Sequence, residues 1–102
     1  MNPYLLHKSA ETEWLEAAAY YETCSPGLGG AFVGSITSAL ERIAATPLEF
    51  PFYKQTPVRK CVVSRFPYVI YFVEIKDATW VLAIAHAKRH AEYWQNRASA
   101  DP

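Results

Sequence analysis

The spacing of apolar residues changes at Pro47, and this change constrains the fold class more than any other feature of the chain. Before Pro47, apolar side chains recur at the spacing of a helical face, first over residues 10–21 and again over residues 32–43. After it, residues 60–86 contain three runs rich in β-branched and aromatic residues. The order of these patterns predicts an α+β domain in which two helices precede most of the sheet.

Turn residues set the expected limits of these elements. Ser9 is the expected N-cap of the first helix, and SPGLGG (25–30) separates the two helices into a hairpin. The chain of 102 residues is expected to form one domain over residues 1–102, ordered β-α-α-β-β-β, with the helical hairpin packed on an antiparallel sheet. The predicted elements are strands over 3–7, 58–65, 68–75 and 79–86, helices over 9–23 and 27–46, and a C-terminal helix or extension over 90–97.

Charge is polarised along the chain although the formal net charge is zero. Residues 1–53 carry two basic and six acidic residues, whereas residues 54–97 carry eight basic and three acidic residues. This pattern weakly favours an anionic partner for the second half, and a solvated basic edge explains it equally well. The sequence predicts no signal peptide and no membrane span, so a cytoplasmic protein is expected, with Cys24 and Cys61 as free thiols.

The stretch AIAHAKRHAEYW (83–94) concentrates the polar chemistry of the chain. His86 and His90 have the spacing of two metal ligands on a helical turn, but here the pair straddles the end of a strand, where such residues do not converge. No metal and no cofactor are therefore expected. By strand alternation His86 shares a face with Trp80, Leu82 and Ile84, which predicts a histidine at the rim of the core, hydrogen-bonded to backbone.

Metal-independent RNA cleavage is the enzymatic hypothesis that the residue types allow. It needs a base, an acid and cations for the developing phosphorane charge. The alternative is that the basic residues fringe the sheet while Tyr93 and Trp94 anchor the C-terminal segment, and the residues alone slightly favour this alternative. The side chains of suitable type are Arg59, Lys60, Arg65, His86, Lys88, Arg89, His90 and Tyr93.

Three stretches, EWLEAAAYYETCSPGLGGAF, RFPYVIYFV and VLAIAHAKRHAEYW, resemble in order and spacing the RelE/ParE toxins of bacterial type II toxin–antitoxin systems. The resemblance covers nearly the whole chain. It implies a helical hairpin on an antiparallel sheet, with the functional face on the other side of the sheet. It also implies a cognate antitoxin that lies along the toxin surface, and operator DNA reached only through that antitoxin.

The family that the chain resembles has two branches with different activities. One branch cleaves mRNA on the ribosome, and the other poisons DNA gyrase. RNA-cleaving members carry an arginine just after the aromatic residue of the strand that holds Tyr68, where this chain has Val69. Arg89 matches their arginine after the last strand, and Tyr93 or Trp94 matches the aromatic residue beyond. Val69 leaves this position without a cation, and the strand face that contains Val69 and Tyr71 is apolar. Both features suit a protein interface better than a site that binds a phosphodiester.

The resemblance therefore favours a ParE-like, non-enzymatic inhibitor whose target is DNA gyrase. The residues expected to contact the target or the antitoxin are Arg59, Lys60, Arg65, Val69, Tyr71, Arg89, Tyr93 and Trp94. The alternative is a ribosome-dependent mRNA endonuclease with Arg65, His86, Arg89 and Tyr93 as catalytic residues. A third hypothesis is an inactive module that binds only the antitoxin.

Overall fold

The computed structural model describes residues 4–89 and 91–98, and its elements follow the predicted order. The main bounds are β1 Tyr4–Leu6, α1 Lys8–Cys24, α2 Leu28–Ala45, β2 Arg59–Val62, β3 Tyr68–Ile75 and β4 Ala78–His86, followed by a 3-10 turn at Ala91–Trp94 and the short helix α3 at Gln95–Ala98. A further 3-10 turn, Pro47–Glu49, follows α2. The predicted α+β fold is confirmed. No helix in the described part of the chain is both long and apolar enough to cross a membrane.

The four strands form one sheet in the order β1-β4-β3-β2. Strands β2, β3 and β4 make the expected antiparallel meander, whereas β1 pairs with β4 in parallel, with Tyr4 opposite Thr79. The sheet is therefore mixed, and the prediction of an antiparallel sheet holds only for its last three strands. The parallel pair is joined by a long crossover that includes both helices, as a parallel pair requires.

Side chains close the ends of the helices. The N-cap of α1 is His7 rather than the predicted Ser9, because Nδ1 of His7 accepts the backbone N–H of Ser9 at 3.1 Å. At the start of α2, the Glu22 carboxylate accepts the N–H groups of Gly27 and Gly29 at 3.0 to 3.2 Å. A carboxylate satisfies otherwise unpaired donors here and suits the positive end of the helix dipole.

The first core lies between the helical hairpin and the sheet. Ile36, Leu40 and Ile43 of α2 are fully buried, and they pack in one cluster with Ile70 and Phe72 of β3. An aromatic group closes one end of this core and consists of Tyr21, Phe32, Phe66 and Tyr68, with ring centroids 4.9 to 6.2 Å apart. Burial of these apolar surfaces is the main force that holds the hairpin against the sheet.

A β-bulge interrupts β4. Tyr71 pairs with Ala83 and Phe72 pairs with Val81, so Leu82 is an extra residue with no partner of its own on β3. An extra residue shifts the alternation of side chains by one position. Leu82 consequently packs on the face of the sheet that is remote from the helices.

Because of the bulge, the side chains of β4 do not follow the predicted alternation. Trp80 and Leu82 belong to the remote face, but Ile84 packs in the helix-side core. The prediction that His86 shares a face with all three residues is therefore wrong. Its imidazole lies on the helix side, where it makes an edge contact with the Tyr68 ring at 5.4 Å.

A second core covers the remote face of the sheet. Trp94, from the C-terminal segment, is 1% exposed and packs its ring 4.8 Å from that of Tyr71 and 5.3 Å from that of Tyr53. Val73 and Leu82 are buried in the same cluster. The apolar centre that the sequence assigned to a functional face is thus largely filled by the protein itself.

Candidate functional site

The free edge of β4 forms the floor of the site. Strand β1 accompanies β4 only as far as Val81, whose carbonyl accepts the N–H of His7 at 2.9 Å. Beyond this point two side chains replace the missing strand. Nη1 of Arg97 donates to the Leu82 carbonyl at 2.9 Å, and Oε1 of Glu13 accepts the Ile84 N–H at 3.1 Å. Backbone groups at a strand edge need such partners when they are shielded from water.

The Glu13 carboxylate gathers three further side chains, and we call Glu13, Arg89, Tyr93 and Arg97 the Glu13 cluster. The Tyr93 hydroxyl donates to Oε2 at 2.7 Å, and the Arg97 guanidinium donates to both carboxylate oxygens at 3.2 Å. Nη1 of Arg89 lies 3.9 Å from Oε2. The side chains of Glu13 and Arg97 are only 14% and 17% exposed, so their ion pair is screened less than a surface pair.

The phenol of Tyr93 is held in its neutral form. Burial raises the pKa of Tyr93 well above its ordinary value, and the hydrogen bond to the Glu13 carboxylate raises it further. The Arg89 and Arg97 guanidiniums, 3.7 and 4.9 Å from the ring centroid, lower the pKa but do not reverse the shift. Tyr93 is therefore poorly suited to act as a general base.

His86 sits at the rim of the same site and has a structural partner. Its Nδ1 accepts the backbone N–H of Lys88 at 3.1 Å, the kind of backbone hydrogen bond that the sequence predicts. His90, the other half of the metal pair considered from sequence, lies outside the described residues. Among the residues that the structure describes, no three His, Cys, Asp or Glu side chains are grouped to hold a metal ion.

The predicted basic residues of β2 and the following turn lie apart from the Glu13 cluster. The Arg59 guanidinium donates to the carbonyls of Leu48 and Phe50 at 3.3 and 2.6 Å and lies 3.9 Å from the Phe52 ring centroid, so it fastens the preceding loop. Lys60 is half-buried on β2, opposite Tyr71 of β3. Arg65 is exposed in the turn between β2 and β3. The structure thus brings His86, Arg89 and Tyr93 together, without these three cations.

An exposed apolar surface lies beside the second core. Val62 of β2 is 69% exposed and stands opposite the half-buried Val69 of β3, on the remote face of the sheet. Strand alternation places Lys60 on the same face. We call these three residues the Val62 patch. Alternation along β2 would have identified Val62 from the sequence.

Two of the eight predicted contact residues are core residues in this structure. Trp94 is 1% exposed and Tyr71 is 8% exposed, so little of either side chain is at the surface. The C-terminal segment turns Trp94 inward onto the sheet, and contact of either residue with a partner stays a prediction. Arg65 and Arg89 remain at the surface, and Lys60, Val69 and Tyr93 are half-buried.

The Glu13 cluster pairs two guanidiniums with one carboxylate, so half of its positive charge is offset within the fold. Transition-state stabilisation in RNA cleavage requires cations that are available to a phosphate. Here Arg97 is bound by Glu13 and by a backbone carbonyl, and Arg89 lies against the same carboxylate. Glu13 and Arg97 were not predicted as site residues, because their partners are distant in the sequence.

The comparisons agree with this fold. The family model described as "ParE toxin of type II toxin-antitoxin system, parDE" matches residues 4–91. A solved structure described as "Chromosomal ParDE TA system from P. aeruginosa" superposes with a TM-score of 0.77, at 14% identity, over 86% of this chain and 98% of that chain. At this identity the likeness is one of fold. No curated protein matches the chain by sequence.

Proposed function

Because the chain belongs to the ParE toxin family of type II toxin–antitoxin systems, we propose that it arrests bacterial growth by binding DNA gyrase and that a cognate antitoxin neutralises it. This function is non-enzymatic, needs no cofactor and is exerted in the cytoplasm. Operator DNA would be reached only through the antitoxin.

The observation that carries this proposal is the position of Glu13. Its carboxylate lies against Arg89 and Tyr93, two of the four side chains that the RNA-cleaving alternative would direct at a phosphate, and it also binds Arg97. A carboxylate there repels the phosphodiester and holds the phenol neutral. The geometry therefore favours protein binding over the alternative of a ribosome-dependent mRNA endonuclease.

The Val62 patch is the proposed centre of the contact with gyrase. Val62 and Val69 give an exposed apolar pair, and Lys60 adds a positive charge on the same face. Arg65 and Arg89, in the turns that follow β2 and β4, and Tyr93, half-buried against the Arg89 guanidinium, are further proposed contacts with the target or the antitoxin. An apolar centre with a charged rim is the usual anatomy of a protein interface. Tyr71, opposite Lys60, and Trp94, packed on Tyr71, belong to the second core on the same face of the sheet, and Arg59 holds the loop that precedes β2.

Purified gyrase provides the direct test. We expect the protein to inhibit supercoiling and to trap cleaved DNA on the enzyme. The variant Val62→Asp should weaken this inhibition by about tenfold or more, because it places a carboxylate at the centre of the contact. Val62 is exposed, so the variant should fold.

Leu48→Asp is the matched control. Leu48 is also 69% exposed but lies on the 3-10 turn after α2, outside the Val62 patch. It should leave inhibition unchanged. Unaltered supercoiling at saturating protein would refute the proposed target, and equal loss in both variants would refute the proposed surface.

Primer extension on ribosome-bound message tests the alternative. Codon-phased cuts that disappear in Arg89→Ala would establish the mRNA endonuclease and overturn the gyrase proposal. We expect no cuts with the wild-type protein or with Arg89→Ala.

The antitoxin part of the proposal has its own test. The product of the neighbouring reading frame should bind the chain and restore supercoiling in the gyrase assay. A product that fails to bind would contradict the assignment of that protein as the antitoxin.

A further inference from the structure

An open groove of about 550 Å³ lies between α2 and the turn that joins β2 to β3. Its polar lining consists of Arg42, Arg65, Ser35, Ser38 and Ser64, and its other lining residues are Ala31 and Gly34. No carboxylate and no aromatic side chain lines it. The groove lies on the helix side of the fold and shares no residue with the Glu13 cluster or the Val62 patch, although its Arg65 is also one of the proposed contact residues.

The arginines of the chain differ in what they contact, and this difference draws attention to the groove. Of the five arginines, Arg59 donates to backbone carbonyls, and Arg89 and Arg97 contact the Glu13 carboxylate. Arg42 and Arg65 have no oxygen acceptor for their guanidinium groups among the described residues. These two arginines line the same groove.

The contacts that these two side chains do make are weak. Nη2 of Arg42 lies 3.6 Å from the Cys61 sulfur, and the Arg65 guanidinium lies 5.8 Å from the Phe66 ring centroid. Sulfur is a poor acceptor for a guanidinium compared with an anionic oxygen. Both side chains therefore keep most of their hydrogen-bonding capacity for another group.

The backbone at Arg65 has a φ of 74°, in the left-handed region, as have the turn residues Lys54, Lys76 and Asp77. Arg65 lies in the turn between β2 and β3, where its side chain lines the groove beside α2.

We propose that this groove binds a phosphate group. Two guanidiniums from different elements match the charge of a phosphate dianion, and each can donate two parallel hydrogen bonds to its oxygens. The hydroxyl groups of Ser35, Ser38 and Ser64 are further hydrogen-bond donors, on shorter side chains around the two arginines. The lining has no ring on which a base could stack, so the phosphate itself is the part recognised, whether it is free or carried by a mononucleotide.

Titration with inorganic phosphate, followed by amide chemical shifts at constant ionic strength, tests the proposal. We expect saturable shifts confined to α2 and the β2–β3 turn. Replacing both Arg42 and Arg65 by glutamine should weaken binding by about tenfold or more, since each substitution removes charge-assisted hydrogen bonds. Both residues are exposed, so the variant should fold.

The matched control replaces Lys8 and Lys88 by glutamine, which removes the same charge from exposed positions elsewhere. It should change the affinity by less than about twofold. Ser64→Ala leaves both arginines in place and should weaken binding severalfold. Shifts that do not saturate, or equal weakening in the arginine and lysine variants, would overturn the proposal.

A parallel titration with adenosine monophosphate identifies the source of the phosphate. Equal affinities for the two ligands mean that the phosphate alone is recognised, whereas tighter binding of the nucleotide assigns the groove to a mononucleotide. Both results support the proposal. Binding of neither ligand would contradict it. The gyrase assay does not enter this test, so the two proposals fail separately.

Discussion

Glu13 is the residue on which the functional site depends. One carboxylate accepts the Ile84 N–H, the Tyr93 hydroxyl and the Arg97 guanidinium, and it also lies near Arg89. It therefore ties α1 to the end of β4 and to the C-terminal segment. The same carboxylate offsets part of the positive charge in the region that an RNA-cleaving site would occupy, chiefly that of Arg97.

Removing the Glu13 carboxylate should destabilise the fold. Glu13→Ala leaves the Ile84 N–H without its acceptor and the Arg97 guanidinium with only the Leu82 carbonyl, so we expect the free energy of unfolding to fall by about 2 to 4 kcal/mol. Urea unfolding measures this change. Glu16→Ala is the control, because Glu16 is exposed on the same helix. Similar stabilities for the two variants would show that the Glu13 cluster contributes little.

The raised pKa of Tyr93 predicts a pH dependence at the alkaline end. Burial and the hydrogen bond to Glu13 raise this pKa above its ordinary value of 10.0, so the folded protein favours the neutral phenol. The contribution to stability is complete below that value and is lost as the pH rises towards the folded pKa. Unfolding free energy should fall more steeply above pH 10.0 in the wild type than in Tyr93→Phe.

Tyr4→Phe, which removes an exposed phenol, controls for the loss of a tyrosine and should keep the steep wild-type fall. Equal pH dependence in the wild type and Tyr93→Phe would mean that the environment of Tyr93 does not differ between the folded and unfolded states.

The role of Glu13 could not be predicted from the sequence. The residue lies near the start of α1, where a carboxylate is explained by the helix dipole alone. Its partners are 71 to 84 positions away, and no local pattern indicates them. By contrast, the backbone hydrogen bond of His86 could be predicted, because it depends only on neighbouring residues at the strand end.

The C-terminal segment is the element that completes the fold. The 3-10 turn Ala91–Trp94 places the Trp94 ring against Tyr71 and Tyr53, which closes the remote face of the sheet. A sheet with two apolar faces needs such a cover. The sequence indicates an apolar strand face around Val69 and Tyr71, and it offers Trp94 either as an anchor of the C-terminal segment or as a contact residue.

Truncating the Trp94 side chain should therefore lower the free energy of unfolding far more than truncating an exposed apolar side chain. We expect Trp94→Ala to lower the free energy of unfolding by about 3 to 5 kcal/mol, because the side chain is fully buried among aromatic neighbours. Leu48→Ala, at a residue that is 69% exposed, should change it by less than about 0.5 kcal/mol. Chemical unfolding compares the two. Comparable losses would contradict the second core.

Elements with a strong apolar period could be located from the sequence, and their local irregularities could not. The helices at Lys8–Cys24 and Leu28–Ala45 lie close to the predicted 9–23 and 27–46. The bulge at Leu82 was missed, because β4 is apolar on both faces and a shift of one residue leaves no visible change in its pattern. That shift is the reason why His86 lies on the helix side.

At the scale of the whole molecule, the two halves of the chain have different structural roles. The acidic first half supplies β1 and the helical hairpin, including Glu13, and the basic second half supplies the other three strands and the C-terminal segment. The halves meet at the Glu13 cluster, where their opposite charges pair within the fold. Charge polarity along the sequence therefore reflects, in part, an internal contact, which weakens it as evidence for a nucleic-acid partner.

Residues along most of the chain determine its fold and its family, whereas the choice of target would depend on a small part of its surface. The family model covers residues 4–91, and the similar solved structure shares the architecture at 14% identity. Identity at that level carries no information about individual contact residues. Exposure and strand register define the Val62 patch, so a substitution within that surface is its direct test.

Induced expression in a bacterial host without the antitoxin tests the central claim most directly, with an SOS reporter and the rate of protein synthesis recorded together. We predict that growth arrest is accompanied by a strong SOS response while protein synthesis continues, as expected when gyrase is trapped on cleaved DNA. The response should be lost in Val62→Asp and retained in Leu48→Asp. Arrest of protein synthesis without an SOS response would contradict the account and favour the mRNA endonuclease.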